Sequence, residues 1–460
     1  MPSVTVLGAS HEVITLHYDS AANANIAAMI AAAITHGVET GTVVPVNGSG
    51  GAVQVPPPVP PGKTGEFVQK QDGLSSMLPG YKDVVVTAGA ATVLGSGDTN
   101  EAILSSEGDL TFIATGGSGT VVAGGAAPSQ SRGNDDRGDG DRGHGDKDHG
   151  DRDHGHGDKD HGDKDHGDKD HGNGGQGPVG GDLVIIPASD NGNWGIYTGG
   201  GNDTVLALGG GNDTIATGSG RNLIELGSGN DSVQSTGQDT INTGSGSDTI
   251  DATGAKSDLV RGGTGQVQFL GGTGSVTLFG GAGSDTFQGG SGRAVVFGGQ
   301  GGNNSLAGGT GTATLFGGGA GDQLFAQGAD RQGLLAGIGN ETLSAATATG
   351  RDSLVAGSGN DLLIGGSGND TFYGGTGAST MVGGSGHDIF AFVKSLNGGT
   401  DLVMNFTNAD KIDLQGFGKH AVQDALNSQT FANGSVTITL TDNTRVTFAG
   451  ISELTKSNFT

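Results

Sequence analysis

Gly365-Gly366-Ser367-Gly368-Asn369-Asp370-Thr371-Phe372-Tyr373 is the stretch that decides the fold, because the chain says it again eighteen residues later as Gly383-Gly384-Ser385-Gly386-His387-Asp388-Ile389-Phe390-Ala391. Gly280-Gly281-Ala282-Gly283-Ser284-Asp285-Thr286-Phe287-Gln288 is a third copy, and looser ones fill residues 198–391. The unit is Gly-Gly-x-Gly-x-Asp-x-apolar-x. Consecutive glycines let a turn take backbone angles closed to other residues and bring its carbonyls close together. Three residues such as Thr371-Phe372-Tyr373 then make a short strand with one side chain facing inward. Two units make one coil, so turns eighteen residues apart stack on one edge. Aspartates and carbonyls from stacked turns can surround a hard cation that takes several oxygen ligands.

The spacing ranks the turns. Asp352, Asp370 and Asp388 fall eighteen residues apart and should form a column, with Asp361 on the opposite edge. Carbonyls of Gly366, Gly368, Gly384 and Gly386 belong to the same block. Asp213 and Asp231 are a second pair at that spacing, with Asp203, Asp239 and Asp248 slightly out of phase, and Asp285 stands in the third clean copy. Between them the aspartate position holds Val267, Val276, Ala294 and Ala313, which offer no carboxylate. Those turns are expected to bind a cation weakly or not at all. The same stretch carries apolar pairs such as Leu278-Phe279, Val296-Phe297 and Leu315-Phe316. Strand neighbours point to opposite sides, so Phe279, Phe297 and Phe316 should form an outward ladder. Either another part of the chain covers it or it is a face for binding or self-association.

With these residues in view, the repeat resembles the glycine-rich nonapeptide of the RTX family of secreted calcium-binding proteins. The resemblance implies several Ca²⁺ ions, an all-β parallel β-roll or β-solenoid, and an extracellular or cell-surface location. It also implies type I secretion, whose apparatus would read an uncleaved C-terminal signal such as the end of this chain, Ser457-Asn458-Phe459-Thr460. Met1 to Ser20 shows no basic region followed by an apolar run and cleavage site, which agrees with that route. RTX modules are carried by proteases, lipases, toxins, adhesins and surface-layer proteins alike, so fold alone does not give function.

Composition suits this reading. A formal charge of −26 with 48 acidic residues fits a chain whose folded form holds divalent cations and argues against nucleic acid as a partner. The 96 glycines would cost much backbone entropy on folding, and only stacking or metal can offset that. The roll is therefore expected to unfold where calcium is scarce, since metal-binding energy becomes folding energy. There is no cysteine, which excludes disulfides and thiolate metal sites.

The rest of the chain divides by composition. Residues 1–55 read as a small α+β segment with a helix from Ala21 to Thr35, ending near Gly37, too short to span a membrane. The prolines from Pro56 to Pro61 predict an extended spacer over 56–80. Short β-like runs over 81–126 read as an irregular solenoid start. Residues 127–178 repeat Gly-Asp-Lys-Asp-His and are expected to be a disordered loop expanded inside the solenoid. Its seven histidines offer Zn²⁺, Ni²⁺ or Cu²⁺ a weak site, while the plainer reading is a solvated mixed-charge spacer. The roll is assigned to 179–391. Residues 392–460 follow as a C-terminal cap, in which 399–414 close the last coil and 435–448 form a hairpin.

His11-Glu12 begins like a zinc-protease motif, but His17 lies six residues on and leaves the shared helical face. Gly62-Lys63-Thr64 lacks the first glycine of a phosphate loop, where Pro57 stands. The reading that follows is a non-enzymatic calcium-binding structural or adhesive component, with self-association or a surface polymer as candidate partners. The alternative is a secreted hydrolase with an unrecognised site in the first 125 residues.

Overall fold

The computed structural model describes residues 1–18, 20–105, 109–115, 118–123, 181–396 and 398–460. Within them the chain winds as a repeating coil of two strands and two turns, laying down two parallel ladders of seventeen successive described strands each. Sheet 1 runs from Val43–Asn47 to Thr400–Met404, and sheet 2 from Val53–Gln54 to Lys411–Gln415. Every strand pairs with the next strand but one. Leu354 lies beside Phe372 and Phe372 beside Phe390, so one coil stacks on the last in strict register. The repeat's single inward residue is what fills the core. Ile215, Val233, Ile250, Phe269 and Phe287 follow one another up sheet 1, all buried.

The ladders begin earlier than composition suggests. Residues 56–80 are not a spacer: Thr64–Gln69 pairs with Val43–Asn47 in sheet 1, and Gly73–Ser76 pairs with Val53–Gln54 in sheet 2. The prolines fall in the turn between these strands, where no ladder hydrogen bond is required of them. Pro45 stands inside the first strand, which is an edge and tolerates it. Strands Thr111–Ile113 and Leu183–Ile185 are direct neighbours, as are Gly119–Val122 and Trp194–Tyr197. The Asp/His/Gly-rich tract between them lies outside the described residues, and with it the transition-metal and loop readings.

The N-terminal segment is an antiparallel hairpin, Ser3–Leu7 with Val13–His17, followed by a helix, Ala21–Thr40. Ser20 caps the helix by accepting from the Asn23 N–H. The helix does not stop at Gly37. It ends at Gly41, which takes a left-handed φ of 69°. Gly37 serves close packing instead, since a Cβ there would lie 2.4 Å from Val43. At twenty residues the helix is long and apolar enough to meet the length criterion for a membrane span, contrary to expectation. One face of it is buried with the hairpin against Val68, Val85, Leu104 and Val122 on the outer side of sheet 1.

At the other end, Thr400–Met404 and Lys411–Gln415 are further coils rather than a lid, pairing with Thr380–Val382 and Ile389–Val393. The closing element is the hairpin Ser435–Thr439 with Arg445–Ala449, whose second strand pairs parallel with Thr400–Val403 and so covers the last open strand of sheet 1.

Candidate metal centres along the turns

The repeat's aspartates line both edges, each at the entry to a strand. On the sheet 2 edge, Asp352, Asp370, Asp388 and then Asp410 form one column: each Oδ1 accepts the backbone N–H of the equivalent residue one coil earlier, at 2.8–2.9 Å. Asp361 lies on the opposite edge, accepting from Glu341 N–H at 3.0 Å. Asp213, Asp231 and Asp248 share that edge, despite the seventeen-residue step to Asp248. So does Asp285, which accepts from Val267 N–H at 2.8 Å. Asp203 belongs to the sheet 2 edge, followed there by Asn222, Asp239 and Asp258.

Spacing alone missed several members of these columns. Asp182, Asp258, Asp322, Glu341, Asp401 and Asp410 hold the same position, as do Asn222, Asn304, Gln332 and Ser379. Turns that differ by a few residues keep the strand in phase while shifting the step to between 17 and 22 residues. The signal that finds them is a polar residue two before the inward apolar one. Where the column lapses, the backbone takes over: Val276 N–H bonds to Arg293 O and Ala294 N–H to Thr312 O. A second ladder runs beside the first. Asn193, Asn212 and Asn230 each accept an N–H from the following coil at 2.7–2.8 Å, so coils are latched in both directions.

The carboxylates are nearly sealed from solvent, and their second oxygens divide into two sets. In Asp285, Asp361 and Asp370 the Oδ2 accepts the N–H of a turn glycine four residues earlier. In Asp248, Asp258, Asp322, Asp352 and Asp401 the Oδ2 has no hydrogen-bond partner among the described residues, nor has either oxygen of Glu341. Such an atom is costly to bury unless a further group satisfies it. Burial pushes Asp213, Asp248, Asp258, Asp285 and Asp352 up to about 6, against backbone N–H donors that act to lower them. Burial likewise raises Asp388 and Asp401 to about 7, with Asp410 and Asp370 adding repulsion at Asp388. Asp231, Asp239, Asp322 and Asp370 are raised for the same reason.

The turn glycines bring carbonyls to the same edges. A Cβ on Gly368 would lie 1.5 Å from Gly350 O, on Gly386 2.0 Å from Gly368 O, on Gly366 2.4 Å from Ala348 O, and on Gly384 2.3 Å from Gly366 O. Any side chain there would fill the space where stacked carbonyls converge. No group of three or more His, Asp or Glu side chains converges to hold a metal among the described residues. An ion held here would draw most of its shell from backbone carbonyls and the rest from one or two carboxylates, a donor set of hard oxygens that fits Ca²⁺.

The family profile described as "RTX calcium-binding nonapeptide repeat (4 copies)" matches residues 207–234, 235–254, 268–296, 347–381 and 364–391. The chain carries RTX calcium-binding nonapeptide repeats. RTX repeats bind Ca²⁺, and the matched segments include Asp213, Asp231, Asp248, Asp285, Asp352, Asp361, Asp370 and Asp388. The roll itself is the all-β parallel solenoid that such repeats build. No curated protein matches the chain. Among solved structures, the crystal structure of the extracellular lipase LipA from Serratia marcescens is similar at 17% identity, over 63% of this chain and 41% of the lipase, with a TM-score of 0.15. The RTX-repeat chain thus spans about two fifths of that lipase's length, and a TM-score at that level carries no argument.

Proposed function

We propose that this RTX-repeat protein is a non-enzymatic structural or adhesive component of the cell surface or extracellular matrix, exported by a type I route and folded by calcium outside the cell. The observation that carries the calcium step is the set of buried Oδ2 atoms without partners, in Asp248, Asp258, Asp322, Asp352 and Asp401. Bound Ca²⁺ would supply positive charge between stacked carboxylates. The chain's own residues supply the rest: Oδ1 atoms fix the register of successive coils, and turn glycines keep the edges open to carbonyls. The non-enzymatic reading is favoured by the ladders, which already run from Val43 through the segment where a hydrolase would have to sit.

Circular dichroism of the full chain tests this. In EDTA at neutral pH the protein should be mainly coil. β signal should rise as Ca²⁺ approaches about 10⁻⁴ to 10⁻³ M, the range of extracellular modules. A full β spectrum in chelator would overturn the calcium-folding step.

A further inference from the structure

The column of aspartates on the sheet 2 edge lapses between Asp258 and Asp352, and there the charge on that edge changes sign. Val276, Ala294, Ala313 and Gln332 fill the carboxylate position in register. The residue before each in the turn is exposed, and it is Ser275, Arg293, Thr312 and Arg331 on successive coils, followed by Arg351 before Asp352. None of the three guanidinium groups makes an ion pair or hydrogen bond with a described residue, and Asp330, exposed beside Arg331, does not pair with it. In a chain of charge −26 this is an isolated basic row. A groove of about 370 Å³ runs along it between Arg293, Thr314, Arg331 and Ser353. It continues as one of about 340 Å³ from Arg331 and Arg351 to Asn369, Thr371 and His387.

We infer that this face is a docking groove for a linear uronic-acid polysaccharide lying along the roll. The inference rests on the extracellular reading above. Arginine presents a rigid fork that pairs with carboxylates in two-point contacts. Strands stack about 4.8 Å apart, so Arg331 and Arg351 offer one fork per coil to a chain carrying repeated acid groups. The adjoining column, Thr314, Ser353 and Thr371, gives hydroxyls for sugar hydroxyls.

Charge and ring geometry select among polyanions. A thin chain in the groove meets only the basic row, whereas an anionic bilayer would meet the acidic remainder of the molecule and be repelled. The flanking rings Phe279, Phe297 and Phe316 stack on one another with centroids 5.0 and 4.6 Å apart and planes within 2° and 6°. Their faces are thus occupied, and they turn their electropositive edges outward. Nucleic-acid bases would find no stacking platform there.

The test is calorimetric titration of the calcium-folded full chain with short oligogalacturonates kept well below the calcium concentration, with neutral dextran oligosaccharides and a single-stranded oligonucleotide as comparators. The wild type should bind the oligogalacturonate, less tightly as salt rises, and the double variant R331Q/R351Q should lose affinity by about tenfold or more. Arg445→Gln, exposed at the sheet 1 edge, should not change it. The inference is overturned if the wild type does not bind, if the double variant binds equally, or if dextran or the oligonucleotide binds as tightly. Circular dichroism on each sample separates loss of the groove from failure to fold with calcium, which would count against the calcium reading instead.

Discussion

Asp352 separates the two jobs that a ladder carboxylate performs. Its Oδ1 accepts the Gln332 N–H at 2.8 Å, while its Oδ2 is buried without a partner. Asparagine can do the first job, as Asn222 and Asn304 do with Asp203 N–H at 2.9 Å and Asp285 N–H at 2.7 Å. It cannot supply the second oxygen's charge. Asp352→Asn should therefore keep the coil register and weaken calcium-driven folding, whereas Asp352→Ala also strands a buried N–H. That additional loss is about 1.5 kcal/mol, the scale of one buried hydrogen bond. In a single-site linkage it moves the calcium midpoint about tenfold further. Calcium titrations followed by circular dichroism should place the midpoints in the order wild type, Asn, Ala, with Thr277→Ala, beside the non-acidic Val276, unchanged from wild type. If Asn matches wild type, the free oxygen has no calcium role; if Ala matches Asn, the ladder bond carries nothing.

Two other outcomes are expected. Asp352, Asp388 and Asp401 are pushed by burial up to about 6 to 7, above the ordinary range near 3.9, so the metal-free roll holds protons that the unfolded chain releases. Its stability is then greatest below pH 4 and is lost as pH rises through 6 to 7, so β signal in chelator should be stronger at about pH 5 than at about pH 8, and a flat profile would refute the burial argument. Replacing Phe279, Phe297 and Phe316 together by Ser should leave calcium-induced β structure in place, because the inward Leu278, Val296 and Leu315 are untouched; loss of the fold in circular dichroism would make the rings part of the core.

The sequence was most readable where the repeat is cleanest. Asp352, Asp370, Asp388 and Asp361 could be assigned to edges by counting, because nine-residue units leave no freedom in the turns. Phe279, Phe297 and Phe316 could likewise be turned outward from strand alternation alone. Phe279 is 42% exposed, and the N-terminal hairpin and helix cover sheet 1 rather than this ladder. Counting failed where turns change length. Asp401 and Asp410 sit 22 residues beyond their partners, so the coils that contain them read as a cap. Composition misled at Pro56 to Pro61, because prolines mark a turn between coils as readily as a free spacer. Gly37 misled for a similar reason, since a helical glycine can mark close packing instead of an end.

Because an aspartate reaches back to the coil before and an asparagine reaches forward to the coil after, the joints that carry both are chemically alike. A coil bearing the pair carries no address: it would fit at any such joint, in either neighbour's place. Length in those parts of the roll is therefore a free variable, open to gain or loss of whole coils in frame. Where Val276, Ala294 and Ala313 stand instead, neighbours are matched through particular backbone carbonyls and a shared stack of rings. Those coils are not interchangeable with the others, because each is matched to its own neighbours.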